Sequence, residues 1–418
     1  MRSATLRLLP LVAVVAASLP ACEPVACPFG THKVSERRFE TLHLVTKFAE
    51  QWCEAVDDDG KPYKHGPYLA RYPSGEPKRA ISYRYGRPDG DETSWYEDGT
   101  VREQIHWKKG MQEGQWMHWY ETGAKRQERR FRDGVLDGPE IGWYPNGAVQ
   151  SQGSWNAGRR VGVWRRWHED GQKAEEVEYR EDQPSGLQVT WHPNGHKQLE
   201  GHWRSGVKDG GWTEWYPNGT KMLVQHYRGG QLHGLEAGWY ENGGKEFVGE
   251  WRDGRQEGLW TRWYDNGAKQ SEGEWRDNEQ HGHWVAWFEN GQKHWEGTWD
   301  HDQRDGEGTE WYDDGQKKLV LAYVHGLREG LEITWYRNGR KEREGEWRNG
   351  REHGLWRFWR KDGRPWIERE YRDGKQHGRE ISWDENGKVW LDTTWVDGRR
   401  ADGSPSIAAA PPAELPAS

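Results

Sequence analysis

A glycine recurs every 24 residues through most of this 418-residue chain, with no insertion or deletion between copies. It closes blocks of the form Trp-Tyr-x-Asn-Gly, as in Trp263 to Gly267. A repeat of constant length predicts an array in which each unit docks on the next in the same way. The fourteen glycines are Gly75, Gly99, Gly123, Gly147, Gly171, Gly195, Gly219, Gly243, Gly267, Gly291, Gly315, Gly339, Gly363 and Gly387.

Two aromatic columns keep the same period. Tryptophan stands four residues before the turn glycine in thirteen of the fourteen copies, and an aromatic residue stands eight residues after it in every copy. Hydrophobic residues make up only 33% of the chain and charged residues 31%, a balance typical of disordered proteins. Disordered chains are poor in aromatic residues, however, whereas this chain has 31 Trp and 17 Tyr. We therefore expect an ordered fold that is packed by aromatic rings.

Each copy has the pattern of a β-hairpin. Asp265-Asn266-Gly267 separates two short runs, and Asn-Gly pairs tolerate the positive φ of tight turns. Proline before this pair in other copies, as at Pro145, favours a type I turn followed by a left-handed glycine, which makes a three-residue loop. The frequent glycines exclude helices. The sequence predicts an all-β fold, an elongated single-layer antiparallel β-meander of about fourteen 24-residue hairpin repeats.

The loop length also predicts which side chains share a face of the hairpin. Counting in twos from a three-residue loop places Trp263, Gly273 and Trp275 on one aromatic face. The opposite face carries Arg, Glu and His, with a partial tryptophan column seven residues before the turn glycine. We interpret this column as the candidate contact face, the alternative being that the tryptophans only pack the fold. Its members are Trp116, Trp164, Trp212, Trp260, Trp284 and Trp356.

The motif resembles the MORN repeat in its bacterial variant form. Trp-Tyr-x-Asn-Gly-x-Lys followed by Glu-Gly-x-Trp-x-x-Gly-x-x-x-Gly matches copy after copy, and His-Gly at the last step, as at His233-Gly234, matches too. The resemblance covers residues 61–400, which we assign to the repeat array. It implies a non-enzymatic β-ribbon that binds proteins or lipids. Some bacterial members of the family are antitoxins of toxin–antitoxin systems, so an antitoxin-like role is an alternative.

The N-terminus has the features of an export signal. Arg2 and Arg7 precede an apolar run that is too short to span a membrane stably. Leu19-Pro20-Ala21-Cys22 resembles the lipobox of bacterial lipoproteins, although Pro20 departs from the preferred small residue. The resemblance predicts a signal peptide at residues 1–21, a lipid on Cys22 and anchorage in the bacterial envelope, with Glu23 favouring the outer membrane. Cleavage without lipidation is the alternative.

The segments on either side of the array have different compositions. In an exported protein, Cys27 and Cys53 are most simply a disulfide, with two free thiols as the alternative. Residues 22–60 are then an N-terminal cap over the first sheet edge, or a plain tether. Residues 401–418 are rich in Ala, Pro and Ser and predict a disordered tail.

The sequence contains no pattern of catalytic chemistry that we can identify. It has no nucleophile elbow, phosphate loop or His-Glu-x-x-His motif. Of its 18 His residues, five form the His-Gly column and others, such as His168 and His192, replace the Tyr beside Trp. We therefore expect no enzyme activity, cofactor or metal. Lys and Arg number 60 against 68 Asp and Glu, interspersed, so nucleic acid is not expected as a partner. The leading hypothesis is an envelope scaffold that binds another envelope protein, and the alternative ligand is cell-wall polysaccharide.

Overall fold

The computed structural model describes residues 26–28, 30–35 and 50–402. These residues form strands and turns, with no helix among them. The predicted all-β fold of antiparallel hairpins is confirmed. Membrane-spanning helices are likewise not found in this described part. The predicted signal peptide, Cys22 and residues 403–418 of the predicted tail lie outside the described residues.

The chain divides into two compact units, which are described separately. Unit 1 comprises residues 1–162 and 169–171, and unit 2 comprises residues 163–168 and 172–418. The strands of unit 1 are β1 (His32–Ser35), β2 (Glu50–Val56), β3 (Pro62–Arg71), β4 (Pro77–Arg84), β5 (Arg87–Pro88), β6 (Gly90–Trp95), β7 (Val101–Lys108), β8 (Met111–Trp119), β9 (Lys125–Arg132), β10 (Val135–Leu136), β11 (Gly138–Trp143) and β12 (Val149–Asn156).

One strand, β13 (Arg159–Trp167), contributes residues to both units. The remaining strands belong to unit 2. They are β14 (Lys173–Arg180), β15 (Gln183–Trp191), β16 (Lys197–Arg204), β17 (Val207–Trp215), β18 (Lys221–Arg228), β19 (Gln231–Leu232), β20 (Gly234–Trp239), β21 (Lys245–Arg252), β22 (Arg255–Trp263), β23 (Lys269–Arg276), β24 (Glu279–Trp287), β25 (Lys293–Asp300), β26 (Gln303–Arg304), β27 (Gly306–Trp311), β28 (Lys317–Val324), β29 (Leu327–Trp335), β30 (Lys341–Arg348), β31 (Arg351–Trp359), β32 (Pro365–Arg372), β33 (Lys375–Trp383), β34 (Val389–Val396) and β35 (Arg399–Arg400).

The Asn-Gly turn of each repeat is the three-residue loop that the sequence predicts. Between β22 and β23, the Tyr264 N–H donates to the Ala268 carbonyl at 2.9 Å, and the Gly267 N–H donates to the Tyr264 carbonyl at 3.0 Å. Gly267 has φ 85°, the left-handed conformation that glycine adopts without strain. Asn266 Oδ1 accepts the N–H of Ala268 at 2.8 Å, which fixes the loop locally.

A second, tighter turn joins each hairpin to the next. Arg252 pairs with Arg255 across Asp253 and Gly254, which have φ of 50° and 80°. Two successive left-handed residues define a type I′ turn, whose twist matches that of antiparallel strands. The Arg-Asp-Gly motif therefore continues the meander by a two-residue turn.

A β-bulge, found in thirteen of the hairpins, overturns the predicted arrangement of faces. In β22 and β23, Trp263 pairs with Lys269 but Arg262 pairs with Ser271, so Gln270 is an extra residue. One extra residue moves all later side chains to the other face. As a result Trp263 and Trp275 lie on opposite faces, not on one face as predicted.

Two faces can therefore be defined from the observed register. The packed face holds the residues nine, seven and five before the turn glycine with those four, six and eight after it. The open face holds those eight, six and four before it with those two, five and seven after it. In the hairpin of β22 and β23, Trp260 and Trp275 lie on the packed face, and Leu259, Trp263 and Glu274 lie on the open face.

The predicted disulfide is present between Cys27 and Cys53. Cys53 lies in β2, which pairs on one side with β1 and on the other with β3 of the first repeat. Both strands precede the first repeat, so this segment adds two strands to the sheet. Gly66 lies so close to Pro28 and Cys53 that an added Cβ would be 2.9 and 3.4 Å from them.

A lysine is enclosed by aromatic rings beside this disulfide. Lys64 Nζ lies 5.1, 4.3 and 5.3 Å from the ring centres of Trp52, Tyr68 and Tyr83. Burial lowers the pKa of Lys64, while burial and the neighbouring Glu50 raise the pKa of Tyr68 to about 12. The rings thus stabilise a partly desolvated ammonium group.

Candidate interaction surfaces

The packed face is built from tryptophans that cover glycines. Trp260 lies opposite Gly273 in its own hairpin, and a Cβ on Gly249 of the preceding hairpin would be 2.1 Å from its ring. Trp251 meets the Trp260 ring edge-on, with centres 5.7 Å apart. A side chain at Gly249 would overlap the indole, which explains the glycine six positions after this turn. The same approach holds for Trp212 over Gly201, Trp284 over Gly273 and Trp356 over Gly345.

Four of the six tryptophans of the predicted contact face belong to this packing, whereas Trp116 lies between Ile105 and Arg129. Trp212, Trp260 and Trp356 are only 3%, 5% and 2% exposed. Trp116, Trp164 and Trp284 are partly buried. At least the first three therefore stabilise the sheet and have almost no surface to offer a partner. The sequence interpretation failed because the bulge places this column on the same face as the second aromatic column.

Glutamates, and at one position a glutamine, take the place of this tryptophan in other repeats. Glu332 is 1% exposed, and it accepts a hydrogen bond from Trp347 Nε1 at 2.9 Å. Gln188 does the same for Trp203 at 2.8 Å. Equivalent indole–carboxylate bonds join Trp107 to Glu92, Trp155 to Glu140 and Trp251 to Glu236, at 2.6 to 2.8 Å.

The residue that faces this position from the preceding hairpin differs between repeats with tryptophan and repeats with glutamate. Glycine lies under four of the tryptophans, whereas Arg369 pairs in register with Glu380 and Gln225 donates to Glu236 at 2.7 Å. Ion pairs add to these contacts, as between Arg343 and Glu332 at 2.7 Å. Two complementary packings, tryptophan over glycine and glutamate beside a polar side chain, therefore occur at junctions between hairpins, and the sequence period alone does not indicate them.

The Tyr and Asn of the motif tie each repeat to the next. The Tyr264 hydroxyl donates to the Trp287 carbonyl at 2.9 Å, and Asn266 Nδ2 donates to the Glu289 carbonyl at 3.1 Å. Hydrogen bonds between residues 23 positions apart recur in both units. Burial raises the pKa of several of these tyrosines, namely Tyr216, Tyr240, Tyr312 and Tyr336. The most regular motif residues thus have a structural role.

The tryptophan column of the open face is covered by lysines. Lys269 Nζ lies 5.6 Å from the ring centre of Trp287 in the next repeat and 2.7 Å from Glu272. Exposed cation–π contacts contribute about 0.5–1 kcal/mol each. The same contact, at 5.4 to 5.8 Å, joins Lys125 to Trp143, Lys173 to Trp191, Lys197 to Trp215, Lys245 to Trp263, Lys293 to Trp311 and Lys341 to Trp359.

The histidines of the His-Gly column also have structural contacts. His233 Nδ1 lies 3.1 Å from Asp253 Oδ1 and 3.3 Å from the Asp253 backbone nitrogen, at the following type I′ turn. Elsewhere an acidic side chain makes the same contact, as Glu329 does with the Asn349 N–H at 2.6 Å. Across the described residues no group of His, Cys, Asp and Glu could hold a metal ion.

A row of exposed leucines on the open face of unit 2 is a better candidate contact surface. Each is eight residues before a turn glycine, and each lies directly opposite a polar residue of the neighbouring strand. The leucines are Leu187, Leu235, Leu259, Leu331 and Leu355, which are 38% to 55% exposed. We call these five residues, with the residues opposite them, the leucine row.

Carboxylates accompany four of the five leucines. Leu235 faces Glu250, Leu259 faces Glu274, Leu331 faces Glu346 and Leu355 faces Glu370. Only Leu187 differs, because it faces His202. Within the described residues, Glu250, Glu274 and Glu370 make no ion pair, and Glu346 approaches Arg348 at 3.9 Å. The leucine row therefore presents apolar groups beside carboxylates that are available for a cation.

Five segments of the chain match the family model described as the MORN repeat variant. They are residues 88–109, 136–157, 160–181, 256–277 and 376–397. All five begin at the same position of the 24-residue frame, so they coincide with five of the hairpins. The resemblance noted in the sequence is confirmed at these positions.

The other comparisons are less informative. A search of curated proteins finds no match to this chain. Among solved structures, similarity is found to "Crystal Structure of TcdB2-TccC3 without hypervariable C-terminal region", at 12% identity and a TM-score of 0.15. The match covers 83% of this chain but 18% of the other, so the chain spans less than a fifth of that protein's length. A TM-score this low supports no inference about function.

Proposed function

We propose that this protein is a non-enzymatic repeat scaffold that is lipid-anchored in the bacterial envelope and binds another protein through the leucine row. The repeat architecture supports the scaffold role, since repeat arrays bind through many modest contacts along one surface. The export and lipidation parts rest on the sequence alone, on Arg2 to Cys22.

The register of leucine and glutamate in the leucine row carries this proposal. Leu259 and Leu331 are each 55% exposed and each lies opposite a glutamate, so an apolar and an acidic group recur together. Lone exposed leucines need no explanation, but a recurring series on one face is typical of contact surfaces. The complementary partner is a protein segment that alternates apolar and basic side chains.

Site-specific photo-crosslinking in cells tests the proposal. A photoreactive residue at Leu259 should capture a defined protein, and the product should be lost when Leu235 and Leu331 are changed to Ser. The matched control changes Val207 and Leu327 to Ser, because these exposed apolar residues lie outside the leucine row. Loss of the product in the control alone, or no product other than self-crosslinks, would contradict the proposal.

The alternatives have separate outcomes in the same cells. Retention of the purified array on wall polysaccharide, unchanged by substitutions in the leucine row, would favour glycan binding. A crosslinked toxin in the cytoplasmic fraction would favour the antitoxin-like role. Both stay predictions from the sequence.

A further inference from the structure

The last long strand of unit 2, β34, is paired along its length on only one edge among the described residues. β33 pairs with it from Val389 to Trp395. On the other edge only Trp395 and Val396 pair, with the two residues of β35, and the Thr394 carbonyl accepts the N–H of Ala401 at 2.9 Å. The equivalent strand one repeat earlier, β32, is paired on both edges. Within the described part of the chain, no strand therefore pairs with the outer edge of residues 389–393.

This open edge lacks the features that normally protect a sheet edge. The strand reads Val-Trp-Leu-Asp-Thr-Thr-Trp-Val, with neither proline nor lysine. Trp390 is 57% exposed and Val389 is 46% exposed. The one charge, Asp392, accepts two hydrogen bonds from Arg379, at 2.9 and 2.7 Å, and is thereby neutralised. A long apolar edge strand that has no charged side chain to prevent pairing associates readily with another strand.

The continuation of the same chain is a poor occupant of this edge. In the 24-residue frame, Pro405 takes the place of Ile381, which pairs with Glu368 of the preceding strand. Pro405 would therefore lie beside Asp392. Proline has no N–H to donate to a ladder, so the sequence after Ala401 is poorly suited to pair in the register of the earlier repeats.

The opposite edge of the sheet is also a poor partner. Only four residues, His32–Ser35, form β1, and among the described residues they pair with β2 beside the Cys27–Cys53 disulfide. Two copies of β34, by contrast, have equal length and the same composition. Antiparallel pairing of identical strands is self-complementary about a two-fold axis.

We propose that β34 is a dimerisation edge on which a second copy of the chain places its own β34 in antiparallel pairing. Centred on Leu391, this pairing sets Leu391 opposite its own copy and Trp390 opposite Asp392 of the second copy. The ladder joins the two sheets and covers the exposed indole of Trp390. The proposal does not depend on the leucine row.

Sedimentation of the full chain without its signal peptide, with Cys22 changed to Ser, tests the dimer. We expect the parent protein to be dimeric and Trp390→Glu to weaken the dimer about tenfold or more, since it removes a dominant aromatic contact and sets a like charge opposite Asp392. Leu327→Glu is the matched control, because Leu327 is 52% exposed and lies outside both β34 and the leucine row. It should remain dimeric. A monomeric parent protein, or equal weakening by both variants, would overturn the proposal.

A cysteine placed at Leu391 locates the contact. Under oxidation, Leu391→Cys should form a disulfide-linked dimer, whereas Val207→Cys, at an exposed position outside β34 and the leucine row, should not. A dimer in which neither position crosslinks would place the interface elsewhere and refute the proposal. A monomer that becomes a dimer after removal of residues 403–418 would show that the tail covers β34, which also contradicts it.

Discussion

Replacing Glu332 separates the role of its acceptor oxygens from that of its charge. Glu332 lies in β29, is 1% exposed and accepts the indole N–H of Trp347 at 2.9 Å. Its oxygens also lie 2.7 Å from Arg343. Gln188 occupies the same repeat position and makes the same indole bond at 2.8 Å, so the chain contains its own amide control.

The expected magnitudes follow from which group loses its partner. Glu332→Leu leaves the Trp347 N–H without an acceptor, which costs about 1–3 kcal/mol for a buried donor. Arg343 is 40% exposed and can be rehydrated, so its lost ion pair adds only about 0–1 kcal/mol. Glu332→Gln retains the indole bond and should cost less than about 1 kcal/mol. We therefore expect Leu to be clearly more destabilising than Gln.

Hydrogen exchange measured by mass spectrometry is the suitable assay, because a repeat array unfolds locally and has no single global free energy. Peptides that cover β29 and β30 should lose protection in Glu332→Leu and retain most of it in Glu332→Gln, while β20 and β21 stay unchanged. Equal loss in both variants would show that the charge is decisive. No loss in either would refute the role of the indole bond.

Other substitutions test the remaining contacts. Tyr264→Phe removes the tie to the next repeat and should cost about 0.5–1.5 kcal/mol in local opening, measured by hydrogen exchange, with Tyr85→Phe, at an exposed ring, as the control. Burial acts to raise the pKa of Glu344, but hydrogen bonds and charge from Lys341 and Arg357 outweigh it, so the pKa is lowered. Ionised Glu344 therefore stabilises the fold above the unfolded pKa of about 4.3, and this contribution is lost as the pH falls below it. Glu344→Gln should remove that part of the acid sensitivity of hydrogen exchange in β30. Cys53→Ala should cost about 3 kcal/mol for a loop of this length, seen as lost protection of β2 and β3. Cys22→Ser should abolish fatty-acid labelling and membrane association, and persistent labelling would contradict lipidation.

The repeat and its Asn-Gly turn could be predicted because their signals are local. Gly267 has the positive φ that its residue type indicates. The second turn has an equally local signal, since Asp253 and Gly254 both have positive φ. The faces on which the side chains lie could not be predicted. The bulge residue in this hairpin, Gln270, is an ordinary polar residue, and its type does not indicate a bulge. A single extra residue was enough to invert the assignment of the second strand.

The candidate contact surface was misplaced for the same reason. Trp260 alternates along the repeats with acidic residues, which suggested an exposed polar face, yet Glu332 and Trp260 are both buried. The sequence signal that could have been used is a pair of positions: a glycine in one hairpin faces a tryptophan in the next, as Gly249 faces Trp260. The leucine row carries little sequence signal, because isolated leucines between charged residues resemble ordinary surface positions.

The difference between tryptophan and glutamate at the junctions affects how the hairpins find their correct pairing during folding. Identical 24-residue hairpins could pair one repeat out of place, a misfolding hazard typical of repeat proteins. A shift of one repeat would bring Trp356 onto Leu321 in place of Gly345, where the indole leaves no room for a side chain. The indole and the leucine side chain would clash. The difference between a tryptophan junction and a glutamate junction, as at Trp356 and Glu332, thus distinguishes neighbouring hairpins and favours the correct order during assembly.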